Sequence, residues 1–352
     1  MRKEFKIRNK VIGYTYTPFV IAEAGVNHNG RLDLALKLID AAHGAGADAV
    51  KFQTFHADDV VTSHGVMATY QKKNTGTTES QVSMLSKLEL RDEYYPKLIQ
   101  HCAKRGIIFL STPHGGFKSV DLLVRHKVPA LKFGSGDLTN IPLLKYAARY
   151  RLPMILGTGM ATLKEVKDAI ACIHAQGNNK IVVLHCTTNY PCDPKEVNLS
   201  AMVTMMRELD VFVGYSDHTY GIEVPFMAAT LNTSVIEKHF TLDKKMKGPD
   251  HKVSLEPHEF KEMVRTIRSV AVRMGSIEKK PTPSEKSMIK TVRKSIVTLQ
   301  PISKGDIFTY TNICIKRPGT GLAPVLYEKI LGKKAKKNIP EDVLVRKEDY
   351  AS

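Results

Sequence analysis

Residues 18–25 read PFVIAEAG, residues 31–46 read RLDLALKLIDAAHGAG, and residues 48–53 read DAVKFQ. The first and third stretches are short apolar runs of the kind that forms buried parallel strands. The second has the periodicity of an amphipathic helix and ends at glycine. A strand, a helix and a second strand in this order are the unit of parallel α/β folds, so this segment decides the fold class.

The same unit recurs as far as about Met274. The later strand-like runs are IIFLST, ALKFGS, PMILGTG, KIVVLHC, VFVGYS and SVIEKHF, and a helical pattern follows each of them. A polar excursion interrupts the pattern between Gln53 and Asp92. About eight such strands predict a closed parallel (β/α)8 TIM barrel. An open doubly wound sheet is the alternative, but no GxGxxG motif follows the first strand and the strand count matches the barrel.

The barrel pattern occupies residues 1–280. Residues 281–291 lose apolar periodicity and are rich in Lys, Ser and Pro together with their flanks, so we predict a linker there. Residues 292–352 contain β-branched residues, alternation and turn signals, which predict a small β-rich module. Its core is expected to be too small to stand alone, so it should pack on the barrel or on a partner chain.

Composition narrows the class of protein. The 352 residues carry a formal net charge of +17, yet no nucleic-acid motif accompanies the basic residues. A basic solvated surface and a small anionic substrate are the two interpretations. Five scattered cysteines, no signal-peptide pattern and no membrane-length apolar run predict a cytoplasmic protein that contacts no membrane.

Polar side chains occupy the carboxyl ends of the predicted strands, directly after apolar runs. Catalytic groups of TIM barrels lie at these ends. A purely structural barrel would not need this concentration of ionisable groups, so the pattern predicts an enzyme. The residues are Glu23, Lys51, Gln53, Ser111, Thr112, Lys132, Ser135, Thr158, His185, Ser216, His218, Glu237 and His239.

Two of these ends carry histidines on strands that are neighbours in a barrel: YSDHT contains His218 and EKHF contains His239. Each histidine alone reads as a hydrogen-bonded structural residue. As a pair they can converge on one divalent metal. Two imidazoles leave positions for water and substrate, which suits an open catalytic site with Mn²⁺, Fe²⁺, Co²⁺ or Zn²⁺ better than a structural zinc.

Lys51 and Lys132 indicate an anionic ligand. FGSGD follows Lys132 directly and offers backbone N–H groups and a hydroxyl, a combination that favours phosphate. A Schiff-base aldolase is the alternative, since lysines at a barrel mouth can form imines. Glu23 is a candidate general base or acceptor from a substrate hydroxyl, and otherwise a salt-bridge partner of a lysine.

Many longer motifs resemble the sialic-acid synthase family in order and spacing, over nearly the whole chain. The C-terminal stretches KRPGTGLAP and LGKKAKKNI resemble its antifreeze-like (SAF) domain. The barrel motifs are FVIAEAGVNHNG, ADAVKFQTF, STP, LKFGSGDLTNIPLL, GTGMAT, LHCTTNYP, GYSDHT, IEKHFTLD and GPDHKVSLEP. The resemblance implies a TIM barrel followed by a SAF domain, and condensation of phosphoenolpyruvate with an N-acylated mannosamine-type hexose. The products are a nine-carbon keto acid and phosphate, released by C–O cleavage.

The resemblance also implies roles for individual residues. Glu23 matches the glutamate near the reacting centre, and His218 and His239 match the metal ligands, with Mn²⁺ expected first and Mg²⁺ or Co²⁺ as alternatives. Phosphoenolpyruvate is bound in the family at the positions of Lys51, Thr112, Lys132, Ser135 and Ser216. The sugar is held at the positions of Gln53, Tyr190 and Asp250.

Arg317 in KRPG matches an arginine that the family inserts into the other subunit's barrel, which implies a domain-swapped homodimer. The chain departs from the family at Gly157, where STGM is common, and Thr158 is the candidate to supply the missing hydroxyl. The sugar is either N-acetylmannosamine, giving N-acetylneuraminate, or a diacetamido-trideoxymannose, giving N,N'-diacetyllegionaminate. A non-catalytic sugar-binding barrel is a further alternative.

Overall fold

The computed structural model describes residues 4–76, 79–276 and 278–351, and the chain divides into two compact units, Met1–Gly275 and Ser276–Ser352. The ends of the predicted domains at residues 1 and 352 lie outside the described residues, as do residues 77 and 78 of the excursion. The segment predicted as a linker, 281–291, is mostly helical in the structure. Among the described residues, no helix has the length and hydropathy needed to cross a bilayer.

The first unit is a TIM barrel, which confirms the predicted fold. Its eight strands pair in parallel in the order β5-β4-β3-β10-β9-β8-β7-β6, and β5 and β6 lie in contact with each other, so that the sheet curls round on itself. The strands are β3 (Phe19–Gly25), β4 (Ala49–Thr54), β5 (Ile108–Pro113), β6 (Leu131–Phe133), β7 (Met154–Gly157), β8 (Ile181–His185), β9 (Phe212–Asp217) and β10 (Val235–His239).

Helices follow every barrel strand, as the alternating pattern predicts. They are α1 (Leu32–Gly44), α2 (Ala57–Val60), α3 (Thr69–Thr75), α4 (Gln81–Ser86), α5 (Tyr95–Arg105), α6 (Gly116–Arg125), α7 (Ile141–Ala148), α8 (Leu163–His174), α9 (Leu199–Glu208), α10 (Glu223–Thr230) and α11 (Pro257–Met274). Their apolar faces pack on the outward-facing strand residues and form the large core between the two layers.

The inside of the barrel holds a second, smaller core. Strands β1 (Phe5–Ile7) and β2 (Lys10–Ile12) form an antiparallel hairpin. Its Phe5, Ile7 and Ile12 pack against inward-facing residues such as Leu110 and Val182. Because this hairpin fills the barrel at the amino ends of the strands, the open space lies at the carboxyl ends.

The excursion after β4 has more structure than its polar composition predicts. It forms α2, α3 and α4, and five apolar residues of this region and its surroundings are buried together: Val26, Phe55, Met67, Met84 and Leu88. The polar excursion is therefore a partly helical segment with apolar packing of its own. Polar residues outnumber apolar ones in the segment, while a few widely spaced apolar residues build the packing.

The second unit contains α12 (Pro283–Val292), the antiparallel strands β11 (Ser295–Thr298) and β12 (Ile313–Lys316), and α13 (Tyr327–Ile330). Thr282 caps α12 through its hydroxyl, and the Glu285 side chain bonds back to the Thr282 backbone, which explains a helix in so polar a segment. The β-rich part has a core of its own, formed by Ile296, Ile302, Phe308, Ile313, Leu322, Ile330, Ala335, Ile339 and Val345.

Candidate active site

A cavity of about 370 Å³ opens at the carboxyl ends of the barrel strands. It brings together eleven of the residues predicted to form the site: Glu23, Lys51, Gln53, Thr112, Lys132, Ser135, Tyr190, Ser216, His218, His239 and Asp250. These residues come from every part of the barrel sequence. Their convergence follows from the parallel topology, because the carboxyl ends of all eight strands meet at one face.

A network of ionisable groups forms the floor of the cavity. Lys51 Nζ lies 2.6 Å from Glu23 Oε2 and 3.7 Å from Glu237 Oε1. It also donates to Thr112 Oγ1 at 3.0 Å. Lys132 Nζ lies 3.2 Å from the same Glu237 oxygen. Two lysines therefore alternate with two glutamates across the barrel, each within reach of its neighbours.

Burial and charge set the protonation of this network in opposite directions for the two glutamates. Burial would raise the pKa of Glu237, but Lys132 and Lys51 outweigh it and hold the pKa below the usual glutamate value. For Glu23, burial dominates over Lys51 and raises the pKa. Burial would lower the pKa of Lys132, yet Glu237 and Glu23 outweigh it and raise the pKa. When Glu23 is protonated, the network carries excess positive charge beside an empty volume, which favours an anion.

The two predicted metal ligands lie side by side. The ring centroids of His218 and His239 are 5.6 Å apart. His218 Nδ1 lies 2.6 Å from the Thr187 carbonyl oxygen, and since a carbonyl can only accept, Nδ1 carries the proton and Nε2 the lone pair. Burial lowers the pKa of His218 to about 4 and holds that of His239 well below its usual value, so both rings are neutral at physiological pH.

These properties fit a divalent metal. A neutral imidazole with one nitrogen fixed by a carbonyl is the usual form of a histidine ligand. His239 Nδ1 is buried and makes no hydrogen bond within the described part of the chain. Among the residues that the structure describes, no group of three or more His, Cys, Asp or Glu side chains is arranged as a metal site. Two neutral imidazoles leave positions for water and substrate, so the histidine pair fits an open site better than a closed structural one.

Ser135 lies in the turn after β6, close to Lys132. Its hydroxyl accepts from Gly159 N at 3.0 Å and lies 3.2 Å from Cys186 Sγ. Gly134 and Gly136 flank it and line the cavity. On the opposite side, Ser216 Oγ donates to Glu237 Oε1 at 3.3 Å. Both hydroxyls line the cavity together with the lysine and glutamate network.

Thr158 is placed differently from the other predicted residues. Its hydroxyl donates to the Leu184 carbonyl at 2.9 Å, and among the described residues it does not line the cavity. At the preceding position, a Cβ added to Gly157 would lie 3.0 Å from Ser135 Oγ and 3.1 Å from Ser135 N. The close approach of Ser135 accounts for glycine here, and Thr158 does not replace the missing hydroxyl in the cavity.

Tyr190 and Asp250 also line the cavity. The Tyr190 ring centroid is 4.1 Å from that of His218 and 5.4 Å from that of His239. Asp250 is 7% exposed, and burial, reinforced by Glu23, raises its pKa to about 7. Its Oδ1 makes no hydrogen bond with any described residue. A buried carboxyl that titrates near neutrality and has a free oxygen is a natural partner for a substrate hydroxyl or a proton.

Three features of the site were missed or left unassigned by the sequence analysis. Glu237 appeared among the strand-end residues but received no role, although it bridges both lysines. His114 also lines the cavity, and burial lowers its pKa to about 3. His114 directly follows STP, so its position after a predicted strand could have identified it as a site residue. The third feature is an apolar wall formed by Val26, Phe55, Val60, Met84, Leu85 and Leu88.

Arg317 belongs to the second unit, where it is exposed directly after β12.

Comparison with known proteins gives two family matches: the NeuB family over residues 38–279 and the SAF domain over residues 293–351. The chain is 47% identical to the N,N'-diacetyllegionaminic acid synthase of Campylobacter jejuni, over 93% of this chain and 98% of that protein. It is 44% identical to the protein of the same name from Legionella pneumophila, over 93% of each chain. A crystal structure of N-acetylneuraminic acid (sialic acid) synthetase from Leptospira borgpetersenii, in complex with citrate, matches with a TM-score of 0.74 and 32% identity, covering 82% of this chain and 96% of that one.

Proposed function

The chain belongs to the NeuB family, and on that premise we propose that it is a nonulosonic acid synthase that condenses phosphoenolpyruvate with an N-acylated mannosamine-type sugar. The observation that carries the proposal is the convergence of two neutral histidines and the Lys51–Lys132 network in one cavity. An anionic enol phosphate and an aldehyde need these two kinds of group next to each other. The enzyme class is a phosphoenolpyruvate-dependent transferase that forms a carbon–carbon bond.

We assign phosphoenolpyruvate to the floor of the cavity. Lys51 and Lys132 supply positive charge for its phosphate and carboxylate, and the pKa of Lys132 is raised, so its ammonium persists at neutral pH. Hydroxyls of Thr112, Ser135 and Ser216 lie around this charge and can donate to the phosphate oxygens. Because the groups are buried, their attraction to the anion is stronger than it would be in bulk water.

The proposed reaction forms one carbon–carbon bond and breaks the C–O bond between C2 and the phosphate. C3 of phosphoenolpyruvate attacks the aldehyde carbon of the open-chain sugar, which forms the carbon–carbon bond and leaves positive charge at C2. Water adds at C2 and gives up a proton, while the former aldehyde oxygen gains one. The C2 hydroxyl then loses its proton and becomes the keto group as the C–O bond to phosphate breaks, and the departing phosphate takes up a proton. Glu23 and Asp250, whose pKa values are both raised, are the groups we assign to the proton transfers.

A divalent cation, Mn²⁺ in the first instance and Mg²⁺ or Co²⁺ as alternatives, would be held by His218 and His239 and would supply Lewis-acid polarisation of the sugar aldehyde. Thr187 fixes the orientation of the His218 ring. Tyr190 packs against both imidazoles and limits the space around them. We place the aldehyde end of the sugar beside this pair and the rest of the sugar along Gln53, Tyr190 and Asp250.

For the sugar we favour the diacetamido-trideoxymannose that leads to N,N'-diacetyllegionaminate. Two relatives at 47% and 44% identity carry that name. The apolar wall of the cavity supports the same choice, because a 6-deoxy sugar with two N-acetyl groups presents several methyl groups. N-acetylmannosamine is the second candidate, supported by the likeness to an N-acetylneuraminic acid synthetase. An apolar side chain favours a methyl group over a hydroxyl at the position that it contacts.

A Schiff-base aldolase fits the site less well. An imine-forming lysine needs a depressed pKa so that the amine is neutral and nucleophilic. The pKa of Lys132 is raised, and Lys51 Nζ lies 2.6 Å from a carboxylate oxygen of Glu23. Both lysines are thus arranged as cations rather than as nucleophiles.

We propose further that the enzyme is a cytoplasmic, domain-swapped homodimer in which Arg317 of one chain completes the sugar site of the other. The support is the match of residues 293–351 to the SAF domain and the exposed position of Arg317 after β12. An arginine fork can donate two parallel hydrogen bonds to acyl or hydroxyl oxygens.

Phosphate release tests the proposed function directly. The protein should release phosphate from phosphoenolpyruvate only when Mn²⁺ and an N-acyl sugar are both present, and 2,4-diacetamido-2,4,6-trideoxymannose should give a higher kcat/KM than N-acetylmannosamine. Mass spectrometry should detect the nine-carbon keto acid. Absence of phosphate release with every sugar of the panel would overturn the proposal, whereas a preference for N-acetylmannosamine would overturn only the sugar assignment.

A further inference from the structure

The residues that directly precede His218 and His239 in the chain form a buried ion pair. Lys238 Nζ contacts Asp217 Oδ2, and both side chains are completely buried. These residues are register partners on β10 and β9. Neither side chain lines the cavity. Alternate residues of a strand point to opposite faces, and the residues that point inward here are Ser216, His218, Glu237 and His239.

The pair connects the backbone on both sides of His218. Lys238 Nζ donates to the Thr219 carbonyl as well as to Asp217, the residues directly after and before His218. Asp217 in turn accepts from Thr219 Oγ1 at 3.0 Å and from Tyr215 Oη at 2.9 Å. Lys238 is itself the residue before His239. One ammonium therefore ties the two histidine-bearing segments to each other.

We call the Lys238–Asp217 ion pair the clamp. Alignment of the two barrel strands does not require it. The neighbouring β-ladder already aligns β9 and β10. A completely buried lysine and aspartate are costly to desolvate, and apolar residues of similar volume often serve stability equally well. A role in function would account for this desolvation cost: the clamp can hold the His218 and His239 side chains in the narrow range of positions that a metal site requires.

We propose that Lys238 and Asp217 are positioning residues that hold His218 and His239 in the arrangement required for a divalent cation. This inference rests on the proposed function, because it assumes that the histidine pair binds metal. Neither residue touches substrate; both act through the backbone of the two histidine-bearing segments.

The test compares two double variants of the full-length protein. Asp217→Asn with Lys238→Met removes the clamp without leaving an unpaired buried charge. The matched control is Asp48→Asn with Arg268→Met, which removes another ion pair of a buried aspartate. Asp48 and Arg268 accept from and donate to backbone groups at the amino ends of the barrel strands, Val20 N and the Pro18 carbonyl. They lie at the end of the barrel away from the histidines.

Three readouts separate positioning from stability: Mn²⁺ binding without substrates, followed by the electron paramagnetic resonance of the free ion; thermal unfolding without metal; and KM for Mn²⁺ against KM for phosphoenolpyruvate. Both double variants should fold with lowered Tm. The clamp variant should bind Mn²⁺ at least about tenfold more weakly, as outer-shell changes at metal sites do, with a raised KM for Mn²⁺ and an unchanged KM for phosphoenolpyruvate. The control should bind Mn²⁺ like the wild type.

Unchanged Mn²⁺ affinity in the clamp variant, or an equal loss in both variants, would overturn the positioning role and leave the proposed function intact. Failure of the wild-type protein to bind Mn²⁺ would instead overturn the metal role of the histidines and this inference together. If the clamp variant does not fold, the double variant Asp217→Asn with Lys238→Gln, which leaves no buried charge and shortens the side chain that joins the two segments, must show the same selective loss of Mn²⁺ affinity, or the inference falls.

Discussion

Lys51 Nζ lies 2.6 Å from Glu23 Oε2, and each of the two side chains is 2% exposed. The contact joins the first two barrel strands at the floor of the cavity. Burial raises the pKa of Glu23 even beside this lysine, which favours a carboxyl that takes part in proton transfer. A glutamate with this property at the reacting centre is the group whose chemistry should be most sensitive to replacement.

Glu23→Gln should lower kcat by roughly 10²–10⁴, the usual contribution of a positioned acid or base. The fold should survive, because Lys51 keeps Glu237 within 3.7 Å and so avoids the about 3–5 kcal/mol cost of a fully orphaned buried charge. Steady-state kinetics and urea unfolding check both parts. Glu93→Gln, at a side chain that is 66% exposed, is the matched control and should change neither. Wild-type turnover in Glu23→Gln would exclude a role in proton transfer.

Asp250 should make stability depend on pH. Its folded-state pKa of about 7 lies above the ordinary aspartate value of 3.8, so between these values the folded protein holds a proton that the unfolded chain releases. The contribution of Asp250 to stability is therefore complete below about pH 4 and is lost as pH rises to about 7. The full loss is about 4 kcal/mol, at 1.36 kcal/mol for each pH unit.

Asp250→Asn should remove this dependence, since asparagine resembles the protonated acid. The variant and the wild type should unfold at similar urea concentrations at about pH 3.5, below the ordinary aspartate pKa, and the variant should become progressively more stable than the wild type towards pH 7.5. Asp92→Asn, at a side chain that is 55% exposed, should show no such divergence. Parallel pH profiles for wild type and Asp250→Asn would contradict the raised pKa.

The barrel could be predicted from the sequence because its signals are local and repeated. Each apolar run followed by a helical period adds independent support, and the parallel topology then fixes that Glu23, Lys51 and His239 meet at one face. The excursion after β4 could not be predicted in this way. Met84 and Leu88 find their packing partners, Val26 and Phe55, only in three dimensions, so no periodic pattern announces the apolar wall.

The detailed geometry of the site could not be predicted from the position of a residue at the carboxyl end of a strand. Thr158 and Thr112 follow or end their strands in the same manner, yet Thr112 faces Lys51 while Thr158 bonds to the Leu184 carbonyl. Whether a side chain faces the cavity depends on its position in the alternation of inward and outward residues along the strand. This alternation shifts at irregularities such as the one between Glu23 and Gly25. His114 has a recognisable position after STP, but no sequence signal indicates that it lies half-buried in the cavity.

The histidine pair predicts a metal-dependent enzyme. His218→Ala or His239→Ala should each abolish tight Mn²⁺ binding and reduce kcat/KM below about 1% of wild type, because a site with two protein ligands cannot lose one and keep its affinity. Chelation of the wild type should have the same effect and Mn²⁺ should restore activity. His258→Ala, at a side chain that is 77% exposed, is the control. Full turnover in excess chelator would rule out the metal.

Oxygen from water should enter the keto acid and not the released phosphate. Turnover in ¹⁸O-labelled water distinguishes the two fates by mass spectrometry, because C–O cleavage leaves all four phosphate oxygens derived from the substrate. Borohydride added during turnover should attach no pyruvyl or sugar group to Lys51 or Lys132, as expected of lysines arranged as cations. Label in the phosphate would mean P–O cleavage, and a trapped adduct on either lysine would revive the aldolase alternative.

Arg317 tests the proposed exchange of domains between subunits. It is exposed after β12, in a unit that matches the SAF domain and carries its own small core. If this arginine completes the partner's sugar site, each active site draws on two chains. Arg317→Ala should then raise KM for the sugar, leave Mn²⁺ binding unchanged and lower kcat/KM by about 10- to 100-fold, the effect of about 1.5–3 kcal/mol for a hydrogen bond to a charged group. Arg346→Ala, at another exposed arginine of the same unit, is the control.

Subunit complementation gives the decisive form of this prediction. A Glu23→Ala chain and an Arg317→Ala chain, each impaired alone, should recover activity when mixed and allowed to exchange subunits. In the mixed dimer one site gathers both changes and the other has neither, so about half of its sites should work. Native mass spectrometry must show the mixed dimer before the activity is interpreted. Mixed dimers without recovered activity would mean that Arg317 serves its own chain or no site, because only exchange between chains leaves one site free of both changes.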